Sequence, residues 1–93
     1  MMATAAVQRY WNWLPDVCPC GAMSECVHHI IHVNWQRITK DDWLVCKLCN
    51  ACHRLLHSLG GDRQFEEETG HSTVHLAALN RHNYEVRELR RAA

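Results

Sequence analysis

A chain of 93 residues makes one domain and buries only about 60% of the surface its unfolded form exposes, so its apolar core is marginal unless something staples it. Its 47% hydrophobic and 22% charged residues are a globular composition, and ten Lys+Arg balance ten Asp+Glu, which excludes holding nucleic acid by bulk charge alone. No apolar run approaches the roughly 20 residues of a membrane span, and no charged start followed by an apolar stretch reads as a signal peptide, so a cytosolic location is the expectation.

Taken in order, residues 3–14 suit a helix whose apolar face holds Val7, Tyr10, Trp11 and Leu14. Pro15 ends it, because the residue before a proline avoids the α region. That face reads as core packing; a base-stacking use of Trp11 and Trp13 is the lesser alternative. Cys18-Pro19-Cys20-Gly21 is a turn. Val27 to Val33 is β-branched and predicts a strand, Asn34 to Asp41 a loop carrying Trp35, Arg37 and Lys40, and Trp43 to Leu48 a second strand. From Asn50 to Leu59 the pattern turns helical, and Gly60-Gly61 stops it. Asp62 can cap a further helix ending at Gly70. Ser72 can cap a last one with an apolar stripe of Leu76, Leu79, Val86 and Leu89. The order is helix, strand, strand, helix, helix, helix: an α+β fold in a single domain over 1–93, with a core at about 18–60 and helical flanks at 3–14 and 62–91.

Six Cys and eight His are the anomaly in this composition. In a secreted chain six Cys would suggest a disulfide scaffold; in a reducing compartment clustered Cys with His read as metal ligands. A bound metal contributes roughly 10–16 kcal/mol of folding free energy in small zinc domains, which answers the marginal core. Cys18-x-Cys20 with Cys49-x-x-Cys52 has the form of a tetrahedral structural zinc site, although the first pair is tighter than the usual spacing. Cys26 and Cys46 read as small buried hydrophobes. His28-His29 lie on the first strand, and His53 and His57, four apart on a helix, share a face and can hold one ion. Cys52 would close the zinc knuckle while His53 faces the other way. Two histidines on a helix are more often surface than site, but here they coincide with a His pair and a Cys knuckle in one strand–strand–helix unit.

The order His28-His29-Ile30, Asp42-Trp43-Leu44, Leu48-Cys49-Asn50-Ala51-Cys52-His53 and His57 resembles an HNH endonuclease with the ββα-metal fold. The adjacent histidines and the H-x-x-x-H pair are similar to colicin-type DNases. The flanking Cys pairs resemble small zinc-stapled HNH proteins of phages and prophages, distant relatives of the Ref-type recombination-enhancement nucleases. The resemblance covers about residues 18–70.

The resemblance implies a ββα-metal core flanked by N- and C-terminal helices, and hydrolysis of DNA phosphodiester bonds. It makes His29 the general base, His28, His53 and His57 the ligands of a catalytic divalent ion (Mg2+, Mn2+, Ni2+ or Zn2+), and Cys18, Cys20, Cys49 and Cys52 the ligands of structural Zn2+. The middle position of the family motif, usually Asn, departs here, and Asp42 is the nearest candidate for orienting the His29 ring.

A neutral imidazole can take water's proton near pH 7, and a divalent ion can stabilise the leaving 3′-oxygen. Adjacent strand residues point to opposite faces, which around a kinked strand end suits in-line attack with base and ion on opposite sides of phosphorus. Arg37, Lys40 and Arg54 are the candidate phosphate contacts, implying weak, backbone-directed binding of double-stranded DNA. Arg81, Arg87, Arg90 and Arg91 form a C-terminal basic stripe whose plainer reading is a solvated face paired with Glu85 and Glu88. His32 is a candidate support for the site, whereas His71, His75 and His82 read as surface or packing residues. The expected setting is the cytoplasm of a bacterial host, without a membrane, and with room for a phage or host recombination or packaging partner. The rival from another class is a non-catalytic zinc module that binds nucleic acid or a partner protein.

Overall fold

The computed structural model of the chain describes residues 4–34 and 37–92, with 31–34 and 37–40 described by their backbone alone. Ala3 and Trp35 therefore lie outside the described residues. The elements are α1 (Ala5–Trp13), β1 (Cys26–Asn34), β2 (Arg37–Leu48), α2 (Asn50–Leu59), α3 (Asp62–Thr69) and α4 (Thr73–Ala92), an α+β arrangement of four helices and a two-stranded antiparallel sheet.

Local chemistry sets the ends of the helices. The Thr4 hydroxyl accepts from the Val7 amide at 3.2 Å and caps α1, and Pro15 follows its last turn. Gly60 at φ 106° ends α2, with the Gly60 amide donating to His57 O and the Gly61 amide to Leu56 O. The Ser72 hydroxyl accepts from the His75 amide at 3.1 Å at the start of α4. Asp62 departs from expectation: it is the first residue of α3 and makes no capping bond, because its carboxylate is engaged elsewhere.

The predicted loop over 34–41 is largely strand. β2 begins at Arg37, and Arg37 to Lys40 pair with Asn34 to Ile31. Ladder hydrogen bonds join backbone groups whatever the side chains are, so a polar run can continue a strand. The register shifts between His29, opposite Val45, and Ile31, opposite Lys40, so the pairing is irregular across the 41–44 stretch of β2.

The sheet is covered on both faces, and period 2 assigns each residue its side. Cys46 and Leu48 pack with Cys18, Cys49, Leu56 of α2 and Phe65 of α3. Val45 packs instead with Tyr10 and Leu14, against Trp11, Trp13, Trp43 and Tyr84 of α4. His28 is paired with Cys46 and His29 with Val45, so the two histidines belong to different faces. The apolar stripe expected on α4 holds in part: Leu76 packs against the cluster of Cys46, Leu56 and Phe65, and Val86 is half-buried. Leu79 and Leu89 are exposed, while Thr73 and Ala77 are buried and Asn80 Nδ2 donates to Val45 O at 3.1 Å. The rest of the inward face is Thr73, Ala77, Asn80 and Tyr84, which carry little hydrophobic periodicity.

Candidate metal centres

The four paired cysteines converge. Cys18 and Cys20 sit in a tight turn closed by Gly21 at φ 96°, with the Cys18 amide bonded to Ala22 O and the Gly21 amide to Cys18 O, both at 2.8 Å. Cys49 caps α2, its sulfur accepting from the Cys52 amide at 3.4 Å, and Cys52 lies in the first turn. The four sulfurs all lie within 4.8 Å of one another, and Cys20 and Cys49 are 3.8 Å apart. Tetrahedral Zn–S bonds of about 2.3 Å place sulfurs about 3.8 Å apart, whereas a disulfide needs about 2.05 Å. All six cysteines are free thiols. A hydrogen bond from the Ala22 backbone, aided by Cys18, draws the Cys20 thiol down to about 7, while burial pushes those of Cys18 and Cys52 up. Four cysteine sulfurs at this spacing could hold a metal ion, and the donor set fits zinc. Cys46 is a buried core thiol pushed up to about 12 by burial, and Cys26 donates to Leu48 O at 3.2 Å; neither joins the cluster.

A second group forms where β1 meets α2. His53 and His57 stand one turn apart with their Nε2 atoms at 3.1 Å. The His28 ring lies 5.2 Å from that of His53 and 6.1 Å from that of His57, and the three residues offer nitrogens all within 4.8 Å of one another. Two imidazoles on one ion at about 2.0–2.1 Å stand about 3.3 Å apart, so the His53–His57 spacing is close to a ligating one. Burial, then the neighbouring His28 and His57, push His53 down and favour the neutral ring, the form that binds metal. His28 is buried, and its Nε2 meets Asp62 Oδ1 at 2.7 Å. The Thr73 hydroxyl donates to the same oxygen. Burial raises Asp62, but the bonds from His28 and Thr73 outweigh it and hold its carboxyl below the usual range. Its first-turn position suggests only a cap, and no spacing rule links it to a histidine 34 residues away.

His29 is not part of that group. On the other face of the ribbon, its Nε2 meets Asp42 Oδ1 at 2.8 Å, and Trp11 stands edge-on to its ring at 5.5 Å. The Trp11 indole N–H donates to the Asp42 carbonyl at 2.8 Å, so α1 grips the strand that carries Asp42. Sequence reasoning places Trp11 in the core packing, and it partly is, but the polar edge of its ring has this second task.

Arg54 is exposed on α2. The side chains of Arg37, Lys40 and His32 lie outside the described residues. In the C-terminal stripe Arg81 pairs with Glu85 at 3.0 Å and Asp41 at 3.4 Å, and Arg87 and Arg91 pair with Glu88 at 2.9 and 3.8 Å. His75 and His82 are exposed, and the His71 ring lies 6.4 Å from Phe65. Among the described residues no helix is long and apolar enough to cross a membrane. No protein-family model, curated protein or solved structure matches the chain.

Proposed function

We propose that the chain is a small HNH-type endonuclease that hydrolyses DNA phosphodiester bonds on a ββα-metal core of β1, β2 and α2. One observation carries this reading: imidazoles from a strand and a helix, His28, His53 and His57, gather into one ligand-sized group apart from the four-thiol cluster. Cys18, Cys20, Cys49 and Cys52 would hold structural Zn2+, and the three histidines a divalent ion. When bound, that ion supplies charge neutralisation at the phosphate and stabilisation of the leaving 3′-oxygen.

The roles of the chain's own groups follow from their bonds. Asp42 accepts at His29 Nε2, so the proton of a neutral His29 sits on Nε2 and the lone pair on Nδ1. Nδ1 is then the atom that takes a proton from water, and Asp42 stabilises the imidazolium that results. Trp11 donates to the Asp42 backbone carbonyl beside the pair. The exposed edges of His53 and His57 leave their site open to a phosphate, with Arg54 on the same helix and Arg37 and Lys40 on β2 as backbone contacts to double-stranded DNA. The resemblance to small phage and prophage HNH proteins supplies the setting of this reading, a bacterial host's cytoplasm, with room for a phage or host recombination or packaging partner.

A second reading, a non-catalytic zinc module, is favoured by the arginine stripe, which is largely spent on Glu85, Glu88 and Asp41 in a chain of net charge +0. A plasmid-nicking assay with Mg2+, Mn2+ or Ni2+ separates the two. Replacement of His29 by Ala should lower cleavage by about 10²- to 10⁴-fold while both metal groups still load. Cleavage unaffected by that change removes His29 as the base. A chain loaded at both groups that never nicks DNA is the module.

A further inference from the structure

We infer that Asp62, backed by Thr73, is the positioning residue of the three-histidine group, fixing which nitrogen of His28 faces the ion; this rests on the reading that the group binds metal.

A carboxylate only accepts, so His28 must carry its proton on Nε2, 2.7 Å from Asp62 Oδ1. The nitrogen left with a lone pair is Nδ1. His53 and His57 turn their Nε2 atoms to each other, so the group would offer one Nδ1 and two Nε2 donors. Asp62 is not itself within the cluster of mutually close ligand atoms, which among the described residues contains the three histidines alone. Its place is behind the ligand.

Three features make this a rigid support. His28 is 3% exposed and Thr73 is fully buried, so the hydrogen bonds are little contested by water. Thr73 donates to the oxygen that His28 uses, a second bond that restrains the carboxylate. Asp62 opens α3 and Thr73 opens α4, so the partial positive ends of two helices also favour a negative charge there. A carboxylate on the far nitrogen of a ligating imidazole fixes its tautomer and raises its basicity, and removing such a partner weakens metal binding by about 10- to 100-fold. The helices beyond the strand–strand–helix core thereby become part of the metal site.

The test uses the full chain preloaded with one equivalent of Zn2+ and titrated with Ni2+ by calorimetry. The wild type should take up one further equivalent. Asp62→Asn, which keeps the volume and loses the charge, should bind that equivalent about 10- to 100-fold more weakly. Thr73→Val, close in shape, should lose about fivefold, the worth of one hydrogen bond. Nitrogen-15 shifts of the His28 ring before Ni2+ addition give a reading independent of affinity: Nε2–H in the wild type and a tautomer mixture in Asp62→Ala. Ni2+ affinity in Asp62→Asn within twofold of wild type, or a wild-type His28 protonated on Nδ1, overturns the role of Asp62. A wild type that takes no Ni2+ beyond the first Zn2+ overturns the metal-site reading and this inference with it, and the ring tautomer then tells whether the Asp62 bond itself exists.

Discussion

His28 and His29 are chain neighbours with different partners, because a strand sends consecutive side chains to opposite faces. One turns to His53, His57 and Asp62, the other to Asp42 and Trp11. On the proposed reading, the three imidazoles His28, His53 and His57 would favour Zn2+, Ni2+ or Cu2+, while Mg2+ seeks oxygen ligands and retains its waters. Calorimetry on the zinc-preloaded chain should show Ni2+ binding at least about 100-fold tighter than Mg2+. Mg2+ binding as tightly as Ni2+ would mean that oxygen ligands complete the site. The histidines themselves were legible from adjacency and from i,i+4 spacing. Asp62 and Trp11 were not, because each acts through a bond across more than 30 residues, which only packing creates.

Helix α2 shows how one element serves both candidate metal groups. Its cap Cys49 and first-turn Cys52 belong to the thiol group, and His53 and His57 to the other, so its phase and end must be held. Gly60 does part of this at φ 106°, a left-handed conformation that costs a side-chain-bearing residue about 1–2 kcal/mol. A Cβ there would meet only the Gln64 side chain, at an ordinary 3.8 Å, so strain rather than collision sets the effect. Gly60→Ala should therefore lower unfolding free energy by about 1 kcal/mol in urea titration with Ni2+ uptake retained. A loss above about 3 kcal/mol would point to a collision instead. The helix ends were readable because caps and stops are local chemistry. The start of β2 at Arg37 and the buried Thr73–Ala77 face of α4 were not, because pairing and burial depend on what lies opposite.

At the scale of the molecule, the two packed faces differ in kind. One is cysteine-rich around Leu56 and Phe65; the other is aromatic, with Tyr10 4.8 Å from Tyr84 and 5.3 Å from Trp43. The Tyr10 hydroxyl is buried with no hydrogen-bond partner among the described residues, and burial pushes it from 10.0 up to about 12. Cys46, deep in the other face, rises from 9.0 to about 12 by burial as well. Both groups keep their protons longer in the folded chain than in the unfolded one. Their contribution is whole below pH 9 and drains away between about pH 9 and 12 as the unfolded chain ionises first. Chemical denaturation should show this fall, and Tyr10→Phe should flatten it above pH 10 while costing nothing at pH 7, since it removes an unpaired hydroxyl. A Tyr10→Phe chain destabilised at pH 7 would reveal a hydrogen bond to that hydroxyl.

The amino-acid order alone determined the inventory of ligands, their pairing into short spacings and the places where helices stop, because these depend on contacts within a turn or two of chain. Tertiary structure decided that the expected thiol and imidazole sets each converge, that His29 meets Asp42 beside Trp11, and that Asp62 bonds to His28. Those outcomes follow from which sheet face each helix covers, a choice settled by burying Phe65 and Leu56 on one side and Tyr10 on the other.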